Sequence, residues 1–369
     1  MAYPSKKIAH LADLHFDIQH LDDALNSFNF AINEAVDQQC DATVLAGDIW
    51  DRSITADDKS PFNQVVDAVQ RLSLEMPVVV VYGNHDRPGS LTIFERIGIT
   101  HRITVASSPE KIVINGIVFS LFPYPTKAFL LSQRNESQDE TDLIAGDAMR
   151  KILAGFAATS AERKDCPHVL VFHGNVTGCK VESGQTVLGG DVMVSASDLE
   201  MSGADYVALG HIHAAQRMGN KCFYPGSLYH CDFGELEPKY MNVVEVWSGG
   251  FEVEQVRLPS RQKIVLEHLK YFSDTAWAIE IARNKDVKVR VRLSEEEART
   301  FDDSALSPLR DVAHSLFVER IITPRERIRC EAIADVTRLR DKVLAWGESV
   351  NLNISESVKE KADELEVIV

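Results

Sequence analysis

Short apolar runs alternate with amphipathic stretches along the first two-thirds of the chain. Five apolar segments have the length of a strand and end in polar residues: 8–15, 42–50, 77–84, 168–174 and 206–213. Two other segments place apolar side chains at helical spacing, residues 21–39 and residues 61–74, and the second opens with Pro61. This alternation of strand and helix patterns predicts an α/β domain.

Turn residues add two hairpins to this pattern. Asn115-Gly116 separates two apolar runs within residues 111–125, and Gly249-Gly250 divides residues 242–258 in the same way. The polar stretch 132–147 predicts a loop that leads into a helix over residues 148–160.

The pattern changes after Pro259. Short strand-like runs and charged helical stretches follow, and none of them carries a cluster of polar residues at its end. We therefore expect a domain over residues 1–258 and a smaller α+β domain over residues 259–369.

The composition is that of an ordinary soluble protein, with 45% hydrophobic and 25% charged residues. No apolar run reaches the roughly 18 residues of a membrane helix, and the N-terminal residues enter a strand directly. The six cysteines are scattered without a CxxC pair, which is typical of free thiols. Together these features predict a cytoplasmic protein with no membrane segment.

The net charge of −16 restricts the choice of partners. A protein that grips DNA by itself usually has a basic face, because neutralising phosphates supplies much of the affinity. Either the substrate is small, or another subunit supplies much of the affinity for nucleic acid.

The five apolar segments all end in side chains that are able to bind metals. These side chains are Asp13 and His15, Asp48, Asn84 with its neighbour His85, His173, and His211 and His213. A single histidine at the end of a strand is usually a satisfied core or surface residue. Five such ends are typical of a site, because the carboxyl ends of strands in α/β sheets are where sites form.

The residue types indicate the chemistry. Carboxylate, imidazole and amide groups together suit divalent ions such as Mn²⁺, Fe²⁺ or Zn²⁺. Two neighbouring ions need a shared carboxylate, and such a pair clamps the attacking and leaving oxygens of a phosphoester. Residues two apart on a strand share a face, so Asp13 and His15 are able to point the same way, as are His211 and His213.

The ordered motifs D-x-H, G-D-x-x-D, G-N-H-D, H-G and G-H-x-H resemble those of the calcineurin-like metallophosphoesterases over residues 8–215. The resemblance implies a four-layer fold in which two packed β-sheets are flanked by helices. It assigns one ion to Asp13, His15, Asp48 and His213, and the other to Asp48, Asn84, His173 and His211. It also makes His85 the acid that protonates the leaving oxygen, and gives Asp86 the task of orienting His85.

Further residues resemble the SbcD-type nucleases. They are His10, Trp50 and the tract from Tyr224 to Glu235, which includes YPGS and Phe233. This resemblance implies a Mn²⁺-dependent 3′→5′ exonuclease on double-stranded DNA that also cuts single strands and hairpins. It makes residues 259–369 a capping domain whose last helical stretch docks an SbcC-like coiled-coil ATPase. It implies a homodimer as well. An ATPase that shares DNA binding would also account for the acidic charge.

Three residues near the motifs stay open at this point. Asp51 either tunes the site or positions substrate. Arg52 and Arg87 lie beside the motifs, and contact with DNA phosphates is as good an interpretation as simple solvation.

Two other functions compete with the nuclease. A phosphodiesterase or phosphatase for small substrates would use the same metals and suits the acidic charge, but needs neither the second domain nor the YPGS tract. A non-enzymatic scaffold would be expected to lack ligands, whereas all seven expected ligands and His85 are present.

Overall fold

The computed structural model describes residues 5–51, 59–126, 130, 138–160, 165–182, 192–267, 276–323, 333 and 336–366. Contacts divide the chain into two compact units. The first consists of Met1–Leu266, Asp274–Lys288 and Pro308–Phe317, and the second of Glu267–Ser273, Val289–Ser307 and Val318–Val369. The boundary expected at residues 258/259 stays a prediction.

The first of two six-stranded sheets has the order β14-β13-β1-β2-β3-β4, with strands numbered along the chain. Its strands are β1 (Lys6–Leu11), β2 (Ala42–Leu45), β3 (Val78–Val81), β4 (Ile103–Ala106), β13 (Tyr240–Trp247) and β14 (Gly250–Arg257). Strands β1 to β4 run parallel, whereas β13 is antiparallel to β1. Strands β1, β2 and β3 therefore end at the same edge, where the polar residues of their motifs follow.

The second sheet has the order β11-β12-β10-β7-β6-β5. Its strands are β5 (Glu110–Ile114), β6 (Ile117–Phe122), β7 (His168–His173), β10 (Tyr206–Gly210), β11 (Gln216–Met218) and β12 (Cys222–Tyr224). Strands β6, β7 and β10 are parallel, so His173 and His211 come at the same sheet edge.

Both predicted hairpins are confirmed. Strands β5 and β6 are joined by Asn115 and Gly116, which have φ angles of 49° and 81° as a two-residue hairpin turn requires. Strands β13 and β14 pair through the turn that contains Gly249.

Helices cover the outer faces of the two sheets. Helices α1 (Leu21–Asp37), α2 (Lys59–Glu75) and α3 (Thr92–Ile97) pack on the first sheet. Helices α4 (Gln138–Ser160) and α5 (Ala196–Glu200) pack on the second. The inner faces bury a shared apolar cluster against each other. The four-layer arrangement expected from the resemblance is thereby confirmed.

The loop predicted over residues 132–147 is wrong from residue 138 onward. Residues 138–160 form α4, and residues 131–137 lie outside the described part of the chain. Ala145, Met149, Leu153 and Phe156 follow at intervals of three and four residues and are buried on one face of this helix. Burial of this stripe explains why the helix extends back into the polar stretch.

The remaining elements are short or lie towards the C-terminus. Strands β8 (Asn175–Val176) and β9 (Met193–Val194) form a small parallel pair. Strands β15 (Lys263–Glu267), β16 (Asp286–Ser294) and β17 (Ser315–Thr323) form a sheet of three. In the segments that the structure describes, the other helices are α6 (Ala276–Ala282), α7 (Glu295–Thr300), α8 (Ser307–Arg310), α9 (Leu339–Ser349) and α10 (Glu356–Glu366), with a 3₁₀ turn at Asp303–Leu306.

His10 is a buried polar residue between the two sheets. Its Nε2 donates to the carbonyl oxygen of Leu209, and its Nδ1 accepts from the hydroxyl of Tyr206, at 3.1 and 2.9 Å. Burial, partly offset by the bond to Leu209, lowers the pKa of His10 to about 3. His10 is therefore a neutral link between β1 and β10.

Five of the six cysteines lie in described segments, and all five are free thiols, as expected. Among the helices in the described segments, none has the length and apolar character required to cross a membrane.

Candidate metal centre

The loops that follow β1 and β2 are held against each other by backbone hydrogen bonds. The amide of Asp13 donates to the carbonyl of Gly47 at 3.1 Å, and that of His15 donates to the carbonyl of Asp48 at 3.0 Å. Asp13, His15 and Asp48 have φ angles of 52°, 41° and 52°, and His211 has 108°. Left-handed backbone costs most residues energy and is typical of functional sites. The paired loops fix these side chains at the common edge of the two sheets.

Asp48 lies at the centre of the cluster. One carboxylate oxygen is 3.7 Å from Nε2 of His15 and 3.4 Å from Nε2 of His173, and the other accepts the amide N–H of His85 at 2.7 Å. Burial, the largest single effect, would raise the pKa of Asp48, but His173, His15 and His85 together outweigh burial and hold that pKa well below its usual range. Asp48 is therefore an ionised group that faces histidines on two sides.

On one side of Asp48 lie Asp13, His15 and His213, whose candidate ligand atoms are within 4.8 Å of one another. The Nε2 atoms of His15 and His213 are 3.0 Å apart. Both oxygens of Asp13 accept the amide N–H of His211 at 2.9 Å, which ties the loop after β1 to the end of β10. Burial lowers the pKa of His15 to about 3.

On the other side lie His173, His211 and Asn84. The side-chain oxygen of Asn84 is 3.1 Å from Nε2 of His173 and 2.8 Å from Nδ1 of His211. Nδ1 of His173 donates to the carbonyl of Ala46 at 2.7 Å, so its Nε2 is directed towards Asp48 and Asn84. Burial alone would lower the pKa of His173, but the Asp48 carboxylate, together with Asp13 and the bond to Ala46, outweighs burial and raises the pKa to about 9.

The donor set fits two divalent cations. Each side of Asp48 offers imidazole nitrogens together with an oxygen donor, Asp13 on one side and Asn84 on the other, and Asp48 is within reach of both. Carboxylate, imidazole and amide ligands suit ions such as Mn²⁺, Fe²⁺ and Zn²⁺, and a shared carboxylate is what a two-metal site requires. The structure thus brings together all seven residues expected as ligands.

His85 lies next to these groups with about a third of its side chain exposed (32%). Its Nδ1 is 3.4 Å from a carboxylate oxygen of Asp51, and its ring packs edge-on against the ring of His15 at 4.7 Å between centroids. Asp51, which the sequence left open, therefore lies where it is able to orient His85.

Asp86 has different contacts from those we expected. Its buried carboxylate accepts the backbone N–H groups of Ile49 and Trp50 at 3.0 Å and of Gly83 at 2.9 Å. Burial and the nearby Asp48 raise the pKa of Asp86 to about 7. These bonds connect the loop after β2 with the loop after β3. Asp86 thus supports the backbone of the site, and the Asp51 carboxylate lies 3.4 Å from Nδ1 of His85. The task of orienting His85 stays a prediction.

The structure describes one of the two arginines beside the motifs. Arg87 is exposed next to the site loop. Arg52 lies outside the described residues. Contact with DNA phosphates stays a prediction for both.

Two residues behind His213 were not predicted to act at the site. Glu235 belongs to the tract that resembles the SbcD-type nucleases, and no motif includes Lys239. A carboxylate oxygen of Glu235 is 2.6 Å from Nδ1 of His213, and Lys239 contacts Glu235 in turn at 2.9 Å. Burial alone would raise the pKa of Glu235, but the hydrogen bond with His213 and the charge of Lys239 bring it to about 2.

An open cavity of about 610 Å³ gives access to the cluster. Its lining includes His15, Asp48, Asn84, His85, His211 and His213, together with Asp51 and residues 17–20. The ionised Asp48, the histidines His15, His211 and His213, and the partly exposed His85 all face a space that is large enough for a phosphoester.

Paired six-stranded sheets with a cluster of carboxylate, imidazole and amide donors at their common edge define a class, the two-sheet metal-dependent hydrolases of phosphoesters. Residues 6–215 match the model of the calcineurin-like phosphoesterase family, which is more than half of the 369 residues. The chain belongs to that family, and membership supports metal-dependent hydrolysis of phosphoesters.

One solved structure similar to this chain is a dimetal phosphatase from Danio rerio. The two are 12% identical, and the alignment covers 68% of this chain and 99% of that one with a TM-score of 0.43.

Proposed function

We propose that this protein is a Mn²⁺-dependent DNA nuclease of the SbcD type. It would remove nucleotides in the 3′→5′ direction from double-stranded ends and cut single strands and hairpins. An SbcC-like coiled-coil ATPase would be its partner in processing double-strand breaks. A homodimer with a capping domain after residue 258 belongs to the same proposal.

The observation that carries this proposal is the position of the YPGS tract, the segment that most resembles those nucleases. The amide of Ser227 donates to the carbonyl of His213 at 3.1 Å, and that of Leu228 donates to the carbonyl of Asp13 at 3.2 Å. The hydroxyl of Tyr229 donates to the carbonyl of His15 at 2.8 Å. The tract is thus bonded directly to the backbone of three expected metal ligands, which supports a role in this site.

In the proposed chemistry the cations and the protein side chains have different roles. Two divalent cations, when bound, lower the pKa of water and stabilise negative charge on phosphate oxygens. Asp48 would hold both ions, and the other six ligands would be divided between them as the resemblance implies. His85 would donate a proton to the leaving oxygen, since it lines the cavity and has Asp51 beside its Nδ1.

The acidic charge supports a partner subunit. With a net charge of −16, the chain as a whole repels a DNA duplex at long range, which favours a second protein that supplies phosphate contacts. An ATPase that encloses the duplex would supply them. Addition of such a subunit should therefore increase cleavage of duplex ends more than cleavage of a small phosphodiester.

The test is the incubation of end-labelled duplex DNA with the purified chain and Mn²⁺, with and without EDTA. Asp48→Asn is the inactive variant, because it weakens the one carboxylate that would serve both ions. Asp41→Asn is the matched control, because Asp41 is a partly exposed carboxylate that pairs with Lys6. We expect Mn²⁺-dependent shortening in the wild type and in Asp41→Asn, and a loss of at least about 10³-fold in Asp48→Asn.

A small phosphodiester assayed in parallel separates the alternative function. Hydrolysis of the small ester that is sensitive to Asp48→Asn, without DNA cleavage even when the ATPase is present, would favour a small-substrate phosphodiesterase or phosphatase. Full activity of Asp48→Asn on both substrates would refute the two-metal site itself.

A further inference from the structure

A buried group of charged residues lies behind His213, on the side away from the cavity. Glu235 accepts a hydrogen bond from Nδ1 of His213 at 2.6 Å, and the side chain of Glu235 is 1% exposed. An ionised carboxylate only accepts hydrogen bonds, so the proton of this bond belongs to Nδ1 of His213. In the neutral imidazole the lone pair is then on Nε2, which lies 3.0 Å from Nε2 of His15.

Lys239 holds Glu235 and His213 together. Its ammonium group donates to Glu235 at 2.9 Å, to Glu182 at 3.0 Å and to the carbonyl oxygen of His213 at 3.2 Å. An ammonium has three protons, and these three acceptors account for all of them. The side chain of Lys239 is 2% exposed. Lys239 thus contacts the backbone of His213 directly and its ring through Glu235.

Glu235 is fixed at its second oxygen as well. That oxygen accepts the amide N–H of Cys231 at 2.9 Å, besides the ammonium of Lys239 at 2.9 Å. The carboxylate therefore has little freedom to rotate, and its other oxygen stays directed at Nδ1 of His213.

Stability alone is a weak explanation for this arrangement. Buried ion pairs often contribute no more to folding than apolar side chains of the same volume. An apolar replacement would, however, lack an acceptor for Nδ1 of His213, and the imidazole would then be free to carry its proton on Nε2 and to rotate. Only the charged group keeps the imidazole of His213 in one tautomer and one orientation.

We propose that Glu235 and Lys239 are positioning residues that hold His213 with its Nε2 lone pair directed at the cation next to Asp13 and His15. The proposal rests on the metal site of the proposed function but not on its DNA substrate. It predicts an effect confined to one of the two ions, because His173, His211 and Asn84 do not belong to the Glu235–Lys239 group. Carboxylates that hold a metal-binding histidine in this way typically change metal affinity by about 10- to 100-fold.

The first test is calorimetric titration of the metal-free full-length chain with Mn²⁺ alone. We expect the wild type to bind two ions and Glu235→Ala to bind one of them about 10- to 100-fold more weakly, with the other unchanged. Glu235→Gln should lose less, because an amide oxygen still accepts from Nδ1. Asp286→Asn is the matched control, a buried carboxylate bonded to Ser315 that should leave both affinities unchanged.

A second measurement needs no variant. Nitrogen-15 NMR of the histidines in the Zn²⁺-loaded wild type reports which ring nitrogen of His213 carries the proton. We expect the proton on Nδ1 and metal coordination at Nε2. The opposite arrangement would overturn the proposal even if Glu235→Ala failed to fold.

Two titration results would also overturn it. Wild-type affinity for both ions in Glu235→Ala would show that His213 needs no positioning, and equal loss of both ions would show general damage to the site. Because no DNA is present, either result leaves the nuclease proposal to its own test.

Discussion

At the scale of single residues, the cluster depends on groups that each serve two neighbours. Asp48 accepts the amide of His85 with one oxygen and faces His15 and His173 with the other. Asp86 joins two loops through three backbone N–H groups. His85 differs from the expected ligands, because it is partly exposed and has a carboxylate, Asp51, beside its Nδ1.

Because of this difference, substitution of His85 should reduce turnover without reducing metal binding. His85→Ala should bind both ions with nearly wild-type affinity, while kcat on a phosphodiester falls by about 10²- to 10⁴-fold, the usual contribution of a general acid. Metal analysis of the purified variant and steady-state kinetics measure the two effects. His101→Ala, a histidine that is not among the residues lining the cavity, is the control. A variant that has lost its metals would show that His85 is a ligand and not the acid.

At the scale of elements, the two sheets lie close together where β10 ends. A Cβ atom on Gly210 would lie 1.9 Å from the carbonyl oxygen of Ala46 and 2.9 Å from Nδ1 of His173. Backbone of the loop after β2 thus occupies the space of a side chain on β10. This contact brings the histidines of the second sheet to the carboxylates of the first.

Gly210→Ala should therefore be severely destabilising, by about 3 kcal/mol or more, because backbone has to move to admit the methyl group. Gly155→Ala is the matched control, since a Cβ at this position of α4 meets nothing within 4 Å. It should stabilise the protein by about 0.5–1 kcal/mol through higher helix propensity. Urea unfolding of both variants gives the two values. Equal stability of the two would mean that the sheets separate easily at this point.

At the scale of the whole molecule, apolar packing between the sheets surrounds a few neutral polar groups. His10 joins β1 to β10, and burial lowers its pKa to about 3, well below the ordinary histidine value of 6.5. His168 is bonded to Ser120 on the second sheet, and burial lowers its pKa to about 4. Both histidines are neutral in the folded protein at neutral pH, whereas the unfolded chain takes up a proton near pH 6.5.

Acid should therefore weaken the fold. The contribution of each histidine is fully present above pH 6.5 and is lost as the pH falls from there towards the folded pKa, by about 1.4 kcal/mol per pH unit. Between pH 7.5 and 5.5 the free energy of unfolding should fall in both the wild type and His10→Asn. The fall should be smaller by about 1 kcal/mol in His10→Asn than in the wild type. Urea titrations at both pH values in EDTA measure this difference. The same loss in both proteins would contradict a neutral His10.

Much of this protein follows from local sequence patterns. Alternation of apolar runs and helical stretches predicts the strands and helices α1 and α2, and Asn115-Gly116 predicts the hairpin of β5 and β6. These patterns act over a few residues and are therefore visible in the sequence. The placement of Asp13, Asp48 and Asn84 directly after strands predicted a common sheet edge, since parallel strands end together. The ordered motifs indicated the phosphoesterase family as well.

The remainder depends on contacts between distant parts of the chain. Helix α4 begins ten residues before the predicted start, because burial of its apolar stripe outweighs the polar sequence around residue 140. His213 meets Glu235, and Lys239 meets Glu182, across 22 and 57 residues. No periodicity encodes such pairs. They form only when the loop after β10, the tract from Tyr224 to Glu235 and the segment that contains Glu182 pack together. A buried charge then requires the partner that the tertiary structure brings to it.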